Sequence, residues 1–243
     1  MNVSSEVRAL DESIRQAGRP ERAEGERRYL KSELVHYGSA VPVLRTAVRG
    51  FLRSRPDLEH DQLISLATEL WCRPETAPVH ERRLAAVLLL AQRVRLLGPD
   101  DVPLLEQLIR QGRTWALVDP LATDVAGPLL DQQDWADPVL ERWAGDADFW
   151  IRRAALLAHL RPLRAGEGDL DRFLRLADGM LEEREFFIRK AIGWVLRETG
   201  RRRPDEVLAW LLPRARRASG LTLREATRHL PDAARTNLLM LRG

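Results

Sequence analysis

Helical periodicity runs through almost the whole chain, and this feature alone excludes most fold classes. Apolar residues recur every three or four positions in one segment after another, for example in 81–98 (ERRLAAVLLLAQRVRLLG) and 185–200 (EFFIRKAIGWVLRETG). That spacing lines one face of a helix, whereas a half-buried strand alternates apolar and polar residues, and no such alternation is present. The sequence therefore predicts an all-α fold of about a dozen helices of roughly 9–18 residues, joined by short turns.

The order of these helices predicts a repeat architecture. Helix pairs recur about every 40 residues, which is the rhythm of HEAT-like repeats, although the sequence itself does not repeat strictly. About six such pairs would fill the chain, so we expect residues 1–243 to form a single domain. Its predicted shape is a curved α-solenoid with a concave groove rather than a globular bundle. The most flexible-looking loop is 161–169 (RPLRAGEGD).

Two local patterns make finer predictions. The periodicity of residues 27–38 (RRYLKSELVHYG) predicts that this stretch is helical. Thr222 and Glu225 have the spacing of a capping box, in which two side chains satisfy free backbone N–H groups at the start of a helix. A helix over 222–230 is therefore predicted to begin at Thr222.

The composition is that of a globular protein in a reducing compartment. Apolar residues make up 44% of the chain, too many for a disordered polypeptide. The single cysteine, Cys72, excludes an internal disulfide framework and a thiolate zinc cluster. No apolar run approaches 18 residues and no export leader is visible, so we expect a cytoplasmic protein with no membrane segment.

Positive charge is carried almost entirely by arginine and is distributed unevenly. Lys31 and Lys190 are the two lysines. Residues 189–217 contain nine basic and three acidic residues, whereas 90–148 contain five basic and eleven acidic ones. Arginine forks onto phosphates and stacks on flat groups, so this polarity suits a polyanion such as nucleic acid. Coding bias in a GC-rich genome is the alternative explanation for the number of arginines.

Several families of catalytic site are excluded by their missing motifs. Residues 79–84 (VHERRL) begin like a zinc-binding HExxH helix but lack the second histidine. A glycine-rich phosphate loop and a GxSxG nucleophile motif are also missing. We therefore expect no metal site and no cofactor, and neither metal hydrolysis nor ATP chemistry.

One predicted helix, 114–130 (TWALVDPLATDVAGPLL), carries two residues off its apolar stripe. On a helical wheel the stripe consists of Leu117, Val118, Leu121 and Val125. Trp115 and Asp119, four residues apart, fall on one side of the helix at the edge of this stripe or beyond it. Pro120 has no backbone N–H and is expected to distort the helix beside Asp119.

Two further helices have misplaced residues of the same kinds. In 185–200 the predicted core face consists of Ile188, Ala191, Ile192 and Val195. Trp194 lies off that face, between Lys190 and Arg197. In 149–160 Arg153 falls in the middle of the apolar face, where a guanidinium needs a partner or a groove. Each residue alone fits ordinary packing or a solvated charge, but together they indicate a binding surface.

Three of these segments resemble a known family. They are WALVDPLA (115–122), FWIRRAALLAHL (149–160) and above all EFFIRKAIGWVLRE (185–198), which is similar to a signature of the AlkD family of bacterial DNA alkylation-repair glycosylases. YLKSELVHYGSAVPVLR (29–45) resembles the family's N-terminal stretch. The resemblance extends from about residue 20 to 230.

The resemblance implies a HEAT-like solenoid that binds duplex DNA and hydrolyses the N-glycosidic bond of cationic N3- or N7-alkylated purines without base flipping or a cofactor. It implies three catalytic-site residues, Asp119, Trp115 and Trp194. It assigns DNA contacts to Arg153, Arg197 and, more weakly, Tyr29, and Lys190 beside Trp194 is a further candidate. The chain departs from the family at Thr114, where an aromatic residue is common, and the effect of Pro120 on the helix of Asp119 is open.

Three other functions stay open at the level of sequence. The chain could be a non-catalytic helical-repeat protein that binds damaged or branched DNA, or a protein–protein scaffold, which is a common use of such repeats. It could also be a glycosylase that prefers bulky adducts to small methyl groups. The expected state is a monomer in the cytoplasm, associated with the nucleoid.

Overall fold

The computed structural model describes residues 2–131 and 133–242, and over these residues the chain is helical. The α-helices are α1 (Val3–Gln16), α2 (Pro20–Leu30), α3 (Val41–Arg53), α4 (His60–Cys72), α5 (His80–Gln92), α6 (Val102–Gly112), α7 (Trp115–Pro120), α8 (Gly127–Leu130), α9 (Ala136–Ala144), α10 (Phe149–Leu157), α11 (Leu160–Ala165), α12 (Leu170–Gly179), α13 (Phe186–Thr199), α14 (Pro204–Leu211), α15 (Gly220–Ala226) and α16 (Asp232–Arg242). Short 3-10 turns cover Val94–Leu96, Pro99–Asp101, Leu212–Arg214 and Thr227–His229, and Leu121–Ala126 is π-helical. The predicted all-α class is confirmed.

The chain packs as two compact units. Unit 1 comprises residues 2–101 and 114–120, and unit 2 comprises the described residues of 102–113 and 121–242. Within each unit, helices near one another in the sequence pack together, as α4 does with α5 and α9 with α10. This local pairing is the pattern of helical-repeat proteins. That residues 1–243 form one curved domain stays a prediction.

The core of unit 1 is formed where the apolar stripes of α1, α3, α4 and α5 meet. Its largest fully buried side chains are Ile14, Leu44, Leu63, Leu66, Leu70, Trp71, Leu89 and Leu90. Each such side chain contributes about 1.5–3 kcal/mol by leaving water. Helix α7 joins this unit through contacts with α5.

The central feature of unit 2 is the close packing of α13 on α15, which Gly193 permits. A Cβ atom at position 193 would lie 2.6 Å from the Cβ of Glu225 and 3.0 Å from the backbone oxygen of Thr222. Because glycine has no Cβ, the two helices can approach this closely. Helix α13 also packs on α10 and α11, so its position is fixed from several sides.

The predicted helix over 27–38 is wrong in its second half. Helix α2 ends at Leu30, and Lys31 adopts a left-handed conformation with φ 49°. The Ser32 hydroxyl then accepts a hydrogen bond from the amide of Leu34 at 3.1 Å, a local alternative to helical bonding. Val35 goes on to form a parallel bridge with Val79, the one such pairing among the described residues.

Two helix ends also differ from the sequence-based expectation. The N-cap of α15 is Ser219 and not Thr222, since the Ser219 hydroxyl accepts from the amide of Thr222 at 3.0 Å. The predicted flexible loop 161–169 is helical over most of its length, as part of α11. Pro162 lies in the first turn of α11, where no intrahelical N–H donor is needed, and Gly166 ends the helix with φ 88°.

The C-terminal helix α16 was not predicted. Its residue Leu238 is fully buried, and Asp232 lies in its first turn, where a negative charge is favourable. Across the described ranges, no helix combines the length and the apolar character that crossing a bilayer requires.

Candidate functional site

The predicted distortion at Pro120 takes the form of a change in helix type. The α-helical hydrogen bonding of α7 ends at Pro120, and the next six residues, Leu121–Ala126, are π-helical before α8 begins. Proline cannot donate to the carbonyl of Ala116 four residues earlier, so the regular ladder cannot pass through this position. Short π-helical segments are frequent at functional sites.

Trp115 begins α7 as an exposed aromatic residue. Its side chain and the phenol of Tyr29 on α2 meet edge to face, with 6.0 Å between the ring centroids and 87° between the planes. Trp115 is 38% exposed and Tyr29 75% exposed. Thr114, immediately before α7, accepts hydrogen bonds on its carbonyl from Leu117 and Val118, which starts the helix at Trp115. Aromatic surface of this kind is available to a ligand.

Asp119 lies one turn after Trp115 on α7, with only 9% of its surface exposed. The apolar stripe predicted for this stretch is correct, since Leu117, Val118 and Leu121 are fully buried. Asp119 was expected at the edge of the stripe or beyond it, and the structure places it nearer the core. A carboxylate shielded from water exerts a stronger field on nearby charge than an exposed one.

Helix α13 carries three of the predicted residues. Its core face is confirmed, because Ile188, Ala191, Ile192 and Val195 are fully buried. Trp194 is half-buried off that face. The exposed Lys190 places its ammonium 5.7 Å above the ring of Phe186, which is itself 51% exposed. Arg197 forms ion pairs with Glu198, at 3.2 Å, and with Glu225 of α15.

Arg153 on α10 is 2% exposed, as expected for a residue in the middle of an apolar face. Its guanidinium donates to the carbonyl of Phe187 and lies 5.5 Å from the centroid of that ring. Phe187 belongs to an aromatic cluster with Phe149 and Trp150, with centroids 4.8 Å apart between Trp150 and Phe187. The sequence analysis did not identify this cluster. The feature that could have indicated it is the pair of adjacent aromatic residues at the start of α10 and again at the start of α13.

Much of the basic segment 189–217 is ion-paired within unit 2. Glu198 pairs with Arg164 at 3.1 Å and with Arg201 at 3.2 Å, in addition to Arg197. Burial opposes ionisation of Glu198 most strongly, but these arginines together lower its pKa below the usual value. Asp178 pairs in the same way with Arg214 at 2.8 Å and Arg217 at 2.9 Å, and the hydrogen bond from Arg214 lowers its pKa. The electrostatic potential around this segment is therefore less positive than its sequence suggests.

The predicted residues thus form two groups, one in each unit. Tyr29, Trp115 and Asp119 belong to unit 1, where α2 and α7 bring the two rings into contact. The second group, in unit 2, consists of Arg153, Lys190, Trp194 and Arg197. The DNA-contacting and catalytic roles of all seven residues stay predictions.

The helical architecture has a clear counterpart among solved structures. A structure described as a predicted DNA alkylation repair enzyme from Enterococcus faecalis superposes with a TM-score of 0.77 at 24% identity, covering 88% of this chain and 97% of that chain. At this level of identity the likeness establishes a shared helical-repeat fold.

The family is established by sequence. Residues 10–230 match the family described as DNA alkylation repair enzyme, and the chain belongs to that family. The resemblance identified from its motifs is thereby confirmed. No curated protein matches the chain.

Proposed function

We propose that the chain is a monofunctional DNA glycosylase that releases cationic N3- and N7-alkylated purines from duplex DNA. The observation that carries this proposal is the pairing of a shielded carboxylate with exposed aromatic surface on one short helix: Asp119 is 9% exposed, and Trp115, one turn earlier, is 38% exposed. Membership of the DNA alkylation repair enzyme family supports a role in the repair of alkylated DNA.

The reaction needs little more than a well-placed negative charge. Alkylation at N3 or N7 makes the purine cationic, so the bond between C1′ and the base nitrogen breaks with its electron pair going to the base, which leaves neutral. The sugar becomes oxocarbenium-like, as in glycoside hydrolysis. A water oxygen then bonds to C1′, and its proton passes to the solvent. Asp119 would stabilise the developing cation and orient that water.

The other predicted residues have supporting roles in this proposal. Trp115 and Trp194 would present their electron-rich faces to the cationic nucleotide. Tyr29 would extend the aromatic surface beside Trp115. Arg153, Arg197 and Lys190 would contact or position phosphates, which makes binding salt-dependent. Because the alkylated base carries its positive charge before the bond breaks, no acid has to protonate it. We therefore propose that the base is not extruded into a pocket.

The proposal is tested by measuring free-base release from methylated duplex DNA. We expect 7-methylguanine and 3-methyladenine to be released, leaving intact strands with abasic sites. Binding of methylated DNA without base release would instead identify a non-catalytic binder. A parallel substrate with a bulky N7 adduct determines which lesion the enzyme prefers.

Trp194→Ala is expected to slow base release about tenfold, because a cation–π contact that excludes water is worth about 1–2 kcal/mol. The melting temperature should change little, since Trp194 lies off the buried face of α13. The matched control is Trp143→Ala. Trp143 is fully buried and its indole N–H donates to Glu106 at 2.7 Å, so its loss should lower stability. An equal loss of melting temperature in both variants would show that Trp194 is a packing residue.

A further inference from the structure

Helix α2 contacts the rest of unit 1 only through partly exposed side chains, such as Tyr29 against Trp115. None of its residues from Pro20 to Leu30 is buried. Ion pairs within the helix support it locally, between Arg22 and Glu26 at 2.7 Å and between Arg28 and Glu24 at 3.5 Å. Exposed pairs of this kind contribute only a few tenths of a kcal/mol each. A polar helix of this length needs another attachment to the rest of the unit.

The buried imidazole of His36 lies beside α2, and its ring nitrogens are available to bind a ligand. Its side chain is 1% exposed, and neither ring nitrogen has a hydrogen-bond partner among the described residues. A carboxylate oxygen of Glu26 on α2 lies 4.0 Å from Nδ1. The ring stacks on His80, with centroids 4.7 Å apart and planes 10° from parallel. A buried polar group without a partner is costly, which points to a ligand.

A second carboxylate faces the same imidazole from α5. Glu81 is 1% exposed and holds residues 37–39 in place by accepting from the amides of Tyr37 at 3.0 Å, Gly38 at 2.6 Å and Ser39 at 3.2 Å. Two carboxylate oxygens offer about four acceptor positions, so one stays available. One ligand atom from each of Glu26, His36 and Glu81 lies within 4.8 Å of the others.

We propose that Glu26, His36 and Glu81 bind a divalent transition-metal ion, of which zinc is the representative, with water as the fourth ligand. An imidazole with two carboxylates suits such an ion better than calcium or magnesium, which prefer oxygen alone. Ligand bonds of about 2.0–2.2 Å require the three groups to draw closer together. Glu26 can move to do this, since 27% of its side chain is exposed.

The ion would act as a structural clamp rather than as a reactant. It joins α2, the extended segment after it and the first turn of α5, and so adds an attachment for α2 beyond the contact of Tyr29 with Trp115. Tyr29 is three residues after Glu26 on the same helix, so the clamp also fixes the ring that contacts Trp115. Of the HExxH-like start at residues 79–84, Glu81 is the ligand, whereas His80 stacks on the ring of His36.

The test is zinc binding by the full chain after treatment with a chelator. We expect one equivalent of Zn²⁺ in competition with a chromophoric chelator, an increase in melting temperature on binding, and tetrahedral absorption bands with Co²⁺ as the probe. Glu26→Gln and His36→Gln should each weaken binding about 100-fold or more, because even partners of ligands contribute 10–100-fold. His60→Gln is the control, since His60 also contacts two carboxylates, Asp61 and Asp101, but at an exposed position.

Two ligand variants are used so that the test does not depend on the folding of either one alone. Glu26 is partly exposed on α2, so Glu26→Gln should fold even if the buried His36→Gln does not. Failure of the unmodified chain to bind one equivalent of metal would overturn the proposal, as would unchanged affinity in Glu26→Gln. In that case a small movement of Glu26 would simply pair it with His36 by a hydrogen bond.

Discussion

Asp119→Asn is expected to lose base release by about 10²–10³-fold while binding methylated duplex DNA nearly as well as the unaltered protein. Asparagine keeps the shape and removes the charge, and the loss of one well-placed electrostatic group costs an enzyme about this factor. The effect should be large because Asp119 is shielded from water, with 9% of its surface exposed. Screening by solvent would otherwise weaken the field of the carboxylate.

The measurement is single-turnover release of 7-methylguanine, with DNA affinity followed by fluorescence anisotropy at fixed salt. Asp124→Asn is the matched control, because Asp124 lies in the neighbouring π-helical segment and pairs with Arg161 at 2.7 Å. It should keep nearly full activity. Release at the unaltered rate by Asp119→Asn would show that the carboxylate takes no part in the reaction, and the proposed mechanism would be wrong.

The helices and their buried faces could be predicted because both depend on local periodicity. The stripe that includes Leu117 and Val118 and the face that includes Ile188 are fully buried as expected. The stretch after Leu30 could not be predicted in this way. Its conformation depends on the bridge between Val35 and Val79, which are far apart in the sequence, and on side-chain bonding that competes with the helix.

The candidate site was predictable in its residue types but not in its contacts. A helical wheel gives the direction of a side chain and not what packs over it, so Asp119 was expected to be more exposed than it is. The DNA contact of Arg197 stays a prediction, but its ion pair with Glu225, 28 positions away in the sequence, could not be predicted from a helical wheel. His36 and Glu81 lie close together although they are even further apart in the sequence, and no periodic pattern connects the two.

Acidification is expected to destabilise the fold between about pH 6.5 and pH 4 through His159. This imidazole is 3% exposed; burial, and then the charge of Arg172, lower its pKa from 6.5 to about 4. Nδ1 contacts the carbonyl of Ala155 at 3.0 Å, and Nε2 accepts from Arg172 at 3.3 Å, an arrangement that only the neutral ring can adopt. The unfolded chain binds the proton more readily, so stability present above pH 6.5 is lost as the pH falls towards 4. The loss amounts to about 3 kcal/mol.

His159→Gln should remove this part of the pH dependence, whatever it does to stability at neutral pH, because glutamine does not titrate in this range. The measurement is the free energy of unfolding by urea at several pH values from 7.5 to about 4. His60→Gln is the control with the opposite sign. Hydrogen bonds to Asp61 and then Asp101 raise the pKa of His60, so protonation of His60 favours the folded state, and replacing it should steepen the loss in acid. An unchanged slope in His159→Gln would mean that the acid sensitivity arises elsewhere, with the buried His36 and His80 pair as the next groups to test.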